Sequence, residues 1–287
     1  MSTATTPRTA PAAAAAPASG VRLSPWGVLR SEWIKLWSLR STFWTIGLTI
    51  VVLVLLAWAM AASASFAPEE FEGADGSASI IYLVLAPGQI FGSLVLVVLA
   101  ALAVTGEYGT GQVRSTFAAV PTRLPVLWAK GLVVAFVTFA TAAVGTALSL
   151  LLAGMIVPAM QPDWSDPEML RIVLGTPLYI ATVALLGFAL GTLLRNTAAT
   201  IATVIGFVLV VESVLSFISW KPLEWVRPFL PSSAGARVAT PEEMIEMTNQ
   251  MSPLAVELSP WGGYAVLVGW VVVLLAAGAV RLRTRDV

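Results

Sequence analysis

These 287 residues contain no cysteine and no histidine, and only 11% of them are charged. Without cysteine there is no disulfide framework and no thiolate site. Without histidine the commonest general base and metal ligand is missing. The His-dependent routes to an activated nucleophile or a zinc-bound water are therefore closed. No pair of aspartates lies within an apolar stretch, so an intramembrane hydrolase fares badly as a reading. No G-x-x-x-x-G-K-[ST] sequence occurs, and the chain cannot cradle nucleotide phosphates through a Walker loop. Nor is there a convincing repeat between halves. The formal net charge is zero, which by itself says nothing about nucleic acid.

What is present is apolar. The chain is 57% hydrophobic, beyond the soluble average of about half apolar and a quarter charged. Such a chain needs lipid as its solvent. A charged side chain at the bilayer centre costs about 2.5 to 3.5 kcal/mol, so charge-free windows locate the spans. Five stand out: Ser41 to Pro68, Gly76 to Gly106, Gly131 to Pro162, Ile172 to Leu194 and Leu258 to Val280. A sixth, Asn196 to Trp220, is apolar except for Glu212. Each reaches the roughly 20 residues that cross about 30 Å of hydrocarbon. The expected fold is an all-α polytopic membrane protein with helices at about 43–62, 80–104, 131–157, 172–194, 198–219 and 263–280.

Six spans put both termini on one side. Counted by loops, twelve Lys and Arg fall on that side and four, Arg171, Lys221, Arg227 and Arg237, on the other. The bias predicts cytoplasmic N- and C-termini. Residues 1–22, rich in Ala, Pro, Thr and Ser, read as a disordered cytoplasmic tail. Their prolines interrupt any signal-peptide core, so an uncleaved chain is expected. Residues 281–287 form the other cytoplasmic tail.

Residues 23–42 read as an amphipathic interfacial helix. Trp26, Leu29, Trp33, Leu36 and Trp37 share about a third of the helical circle, with Ser31, Lys35 and Ser38 opposite. The tryptophans suit headgroup depth, and Arg30, Lys35 and Arg40 are placed to reach anionic lipid. Such a helix serves equally as an anchor or as a force-transmitting elbow. The segment 221–262 carries six prolines and is too interrupted for one span. Its pieces PLEWVRPFL and EEMIEMTNQM predict short helical or re-entrant stretches at the outer interface. Gly88 with Gly92, and Gly187 with Gly191, permit close helix contact, more often within a subunit than between subunits. Thr138, Thr141, Thr146 and Ser149 could line a polar route or bond back to their own helix. Glu212, the ionisable residue inside a predicted span, is a candidate gate or substrate contact. The alternative for Glu212 is a carboxyl hydrogen-bonded to a neighbouring helix.

Between the second and third spans, residues 105–130 read TGEYGTGQVRSTFAAVPTRLPVLWAK, longer than a minimal connection. Glu107, the turn through Gly109, Thr110 and Gly111, Arg114, Pro121, Arg123 and Lys130 resemble the corresponding loop of ABC-2 type permeases. EWIKLWSLRST resembles the helix preceding the first span in that family, and FLPSSAG, residues 229–235, its pattern before the last helix. The resemblance runs from about Leu29 to Val280. It implies an ABC-2, type V-like exporter fold in a bacterial plasma membrane, with 105–130 as the coupling loop that docks on an ATP-binding subunit. The six loop residues Glu107, Gly111, Arg114, Pro121, Arg123 and Lys130 would carry that contact. It further implies a second permease copy, as homodimer or heterodimer, an exported substrate the resemblance does not name, and ATP and Mg2+ held by the partner ATPase. This chain would bind no cofactor, have no nucleic-acid partner and catalyse no reaction itself. A secondary transporter coupled through Glu212, or a membrane-anchored interaction or immunity protein, are the alternatives.

Overall fold

The structure, a computed structural model, describes residues 24–66, 78–113, 123–218, 220–252 and 254–284. Among these, every regular element is helical. An amphipathic helix α1 (Pro25–Ser38) meets α2 (Arg40–Phe66) at Leu39. Then follow α3 (Ala78–Thr110), α4 (Leu124–Ile156), α5 (Pro167–Leu194) and α6 (Thr197–Phe217). Three short helices, α7 (Lys221–Val226), α8 (Pro231–Ala236) and α9 (Glu242–Met251), precede the last long one, α10 (Pro260–Thr284). Six of these, α2 to α6 and α10, are long and apolar enough to cross a membrane. That is the signature of a multi-pass membrane protein.

The helices α2, α3, α5 and α10 extend beyond the expected spans, as does the start of α4, whereas α6 ends at Phe217. The largest difference is at the expected loop 105–130. There α3 continues through Glu107 to Thr110 and α4 starts at Leu124, so Glu107 and Lys130 belong to helices rather than to a loop. Gly111 ends the helical turn with φ of 73°, the left-handed geometry that glycine adopts without a Cβ penalty.

The core forms around α5. Its most apolar stretch is 78% buried, against 17% for α6 and 22% for each of α2 and α10, whose exposed apolar faces suit lipid. Gly187 and Gly191 let α5 approach α3, where added Cβ atoms would meet Val97 and Val104. On α2, Leu53 sits in a recess made by Gly88 and Gly92 of α3 and Gly145 of α4. Both G-x-x-x-G pairs thus pack helices within this one chain. Thr138 and Thr141 donate their hydroxyls to Val134 O and Val137 O at 2.8 Å each, back-bonding to α4. Thr146 and Ser149 are buried on the same helix.

Ser24, Arg123 and Thr284 lie at one end of the bundle, here termed the terminal face. At that end Arg123 donates to Leu282 O of α10 (3.0 Å), and Val28 of α1 packs on Val126 and Ala129 of α4. The segment α7 to α9 covers the opposite, distal face.

Candidate functional site

Two places bring charged groups together in an apolar setting, one at each face. At the terminal face, α1 presents Val28, Glu32 and Leu36 to the bundle, one residue per turn. Glu32 and Lys35 of α1 meet Glu107 near the end of α3 and Lys130 in the second turn of α4. The charges alternate around a ring: Lys35 Nζ lies 2.7 Å from Glu32 and 3.1 Å from Glu107, and Lys130 Nζ lies 2.5 Å from Glu32 and 2.9 Å from Glu107. The Glu32 side chain is 1% exposed and that of Lys130 10%. Burial by itself would lower the Lys35 pKa, but hydrogen bonding and charge from Glu32, then from Glu107, outweigh it and raise it above the ordinary 10.5. Its folded-state pKa being raised, the stabilisation is complete below pH 10.5 and is lost only as pH climbs past the folded value.

Several of the sequence-predicted residues come together here. Lys35 pairs with the carboxylates of Glu32 and Glu107. Glu107 and Lys130, expected to contact an ATPase, hold α1 to α3 and α4. Of the stripe on α1, Trp26 and Trp33 are exposed, while Leu29 and Trp37 are half-buried at the edge of the core. Arg40 is exposed at the start of α2. Arg123 ties the start of α4 to the carboxyl end of α10, where a cation suits the helix dipole. Arg281 likewise donates to Leu193 O at the end of α5, and Arg195, in left-handed conformation, lies 5.3 Å from the Tyr108 ring centroid. Gly111 is exposed. Arg114 and Pro121 lie outside the described residues.

Glu32 was missed by sequence reading, which weighed the aromatic stripe and not the acid. Its spacing of four from both Val28 and Leu36 is the signal that could have found it.

At the distal face, Glu212 follows a π-helical stretch of α6, Gly206–Val211. Its carboxylate accepts from the Ser232 amide (2.9 Å), the Ser233 amide (2.7 Å) and the Ser233 hydroxyl (2.5 Å). These amides open α8 and have no partner within it. Glu212 therefore fastens the distal end of α6 to α8, the alternative of a carboxyl bonded to a neighbouring helix. Glu212→Gln replaces one acceptor oxygen with a donor facing donors. It is expected to lower unfolding stability by about 1 to 3 kcal/mol, read from thermal or denaturant transitions in detergent.

Three of the four basic residues outside the predicted cytoplasmic side are structural fasteners. Arg171 donates to Arg237 O (3.1 Å), Val238 O (3.1 Å) and Thr240 O (2.9 Å) and pairs with Glu168 at 2.9 Å. Arg227 donates to Ser216 O and Ser252 Oγ, and Arg237 to Leu258 O and Asn249 Oδ1. Between these groups lies a cavity of about 440 Å³ bounded by Glu212, Arg227, Arg237 and Tyr82.

Neither a scan of known protein families nor a search of characterised proteins finds a match to this chain.

Among the described residues no cluster of acids is arranged to hold a metal ion. The charges of the terminal site join three helices beside the connection between α3 and α4.

Proposed function

We propose that this chain is the membrane-spanning permease subunit of an ATP-driven exporter of the ABC-2 type. It pairs with a second copy or a similar permease and is driven by separate subunits that bind ATP and Mg2+. In this reading the terminal face is cytoplasmic, which the Lys and Arg distribution supports. The observation that carries this reading is the bracing on both sides of the connection between Thr110 and Leu124. Glu107 before it and Lys130 after it share the ion cluster with α1, and Arg123 grips α10. A push on that connection reaches α1, α3, α4 and α10 together, as a coupling element needs. The commitment of Glu212 to Ser232 and Ser233 speaks against ion coupling through that carboxylate and so against a secondary transporter.

Affinity purification of the full chain in mild detergent tests the proposal. A Walker-containing ATPase is expected to co-purify. Replacing residues 114–122 with a Gly-Ser stretch of equal length should release it without moving the thermal transition. Purification free of ATPase, under conditions that retain a known permease and ATPase pair, would refute it.

A further inference from the structure

Arg195 takes part in neither charged site. It joins α5 to α6 at the terminal face, where two apolar helices end and begin. Its guanidinium carbon lies 5.3 Å from the Tyr108 ring centroid. Its Nε and Nη2 are enclosed and meet no hydrogen-bond acceptor among the described residues. A ring face attracts the charge of a guanidinium but leaves the N–H groups in its plane without acceptors, and charged donors enclosed in that state are costly. The residue as a whole is half-buried, so the position is not sealed.

Arg281, in the last turn of α10, stands beside it. It donates to Leu193 O, two residues before Arg195, and the charges of both arginines reach the Tyr108 hydroxyl. None of the ion pairs described above includes Arg195 or Arg281. The acid next to Tyr108, Glu107, is held by Lys35 at 3.1 Å and Lys130 at 2.9 Å. The start of α6 adds to the positive field. Asn196 Oδ1 caps the Ala199 amide, which leaves the Thr197 and Ala198 amides without a partner inside the helix. The positive end of a 21-residue helix therefore faces the same side as the two arginines. Leu194 and Val280, directly before the arginines in the chain, are 39% and 60% exposed, so apolar surface borders both cations.

We propose that Arg195 and Arg281 bind the phosphate ester of an anionic lipid, whose acyl chains lie on the apolar surface around Leu194 and Val280. Both cations sit where an apolar span ends, the depth at which hydrocarbon gives way to headgroups. A phosphate offers acceptors to the Arg195 N–H groups that Tyr108 cannot satisfy. A zwitterionic headgroup brings its own ammonium against two guanidinium groups, and a soluble phosphate ester gains nothing from Leu194 and Val280. The inference rests on membrane embedding and needs no ATPase, so it stands or falls separately from the exporter reading.

The test uses the full chain, purified alone in a neutral detergent. Dioleoyl phosphatidylglycerol and dioleoyl phosphatidylcholine are titrated in turn, and bound lipid is counted by native mass spectrometry. Phosphatidylglycerol is expected to bind at least about tenfold more tightly, the difference a charge-assisted hydrogen bond makes. Arg195→Asn should abolish that preference and leave the thermal transition in place, because asparagine tolerates the left-handed backbone that Arg195 occupies. Arg281→Gln, which leaves the junction of α5 and α6 untouched, should weaken the preference in the same direction. Arg40→Gln, which removes an exposed charge at the start of α2, should leave it unchanged. Glycerol 3-phosphate in excess should not displace the lipid, and displacement would assign the site to a soluble phosphate ester instead. Equal binding of the two lipids, a preference that survives both Arg195→Asn and Arg281→Gln, or one that falls as far in Arg40→Gln would overturn the proposal.

Discussion

Lys130→Met is expected to cost about 3 to 5 kcal/mol of unfolding stability, because it leaves two buried carboxylates sharing one ammonium group. Glu32 is enclosed between α1 and α4 with its side chain 1% exposed, while the Glu107 side chain keeps 12% exposure. Removing one partner of a buried charge network costs more than the network contributes, since the surviving charge loses its compensation while staying desolvated. The double variant Lys130→Met with Glu32→Gln restores the balance of one acid, Glu107, to one base, Lys35, whose separation is 3.1 Å. It should recover a substantial part of the loss. Equilibrium unfolding in mixed micelles measures both, and limited proteolysis within α1 reports whether that helix has detached. A single variant within about 0.5 kcal/mol of the parent, the range of ordinary surface substitutions, would mean that water screens the cluster freely.

Gly175→Val should be nearly as damaging, by a different route. A Cβ at Gly175 would lie 2.5 Å from Val238 O and 2.9 Å from Val238 C, both backbone atoms of the 237–239 turn. No rotamer change can move a carbonyl, so α5 and the distal segment must separate. Overpacking of this kind costs about 1 to 3 kcal/mol, and valine adds two further methyl groups to the clash. Separation would also strain the bonds from Arg171 to Arg237 O, Val238 O and Thr240 O, one turn away on α5. Hydrogen exchange should rise across 231–251 while α3 and α4 stay protected. Protection unchanged throughout would show that the turn can move aside at no cost. Gly145→Ala, whose neighbour is the Leu53 side chain, should be milder, because a side chain can rotate away.

Much of the architecture was legible from composition. The six spans follow from runs without charge, since lipid excludes ionised groups whatever the tertiary packing. Their ends were not legible, because helices continue past the hydrocarbon into a zone where charged and apolar residues are equally tolerated. The same limit misplaced Glu107 and Lys130. A stretch mixing charge, glycine and proline reads as a loop, and only a partner such as Glu32 from a distant helix makes buried helical positions of both acceptable.

The sequence by itself determined that six segments are long and apolar enough to cross a membrane, that the chain has no Cys or His, and that residues 221–262 cannot form one continuous span. These follow from solvation and backbone covalency, which act residue by residue. Only the tertiary structure decided what each rare charge does. Glu32, Lys35, Glu107 and Lys130 join helices that are remote in sequence, and Glu212 ends on amides of α8. The reason is that a buried charge is tolerated only where a partner compensates it, and the identity of that partner depends on how the helices pack.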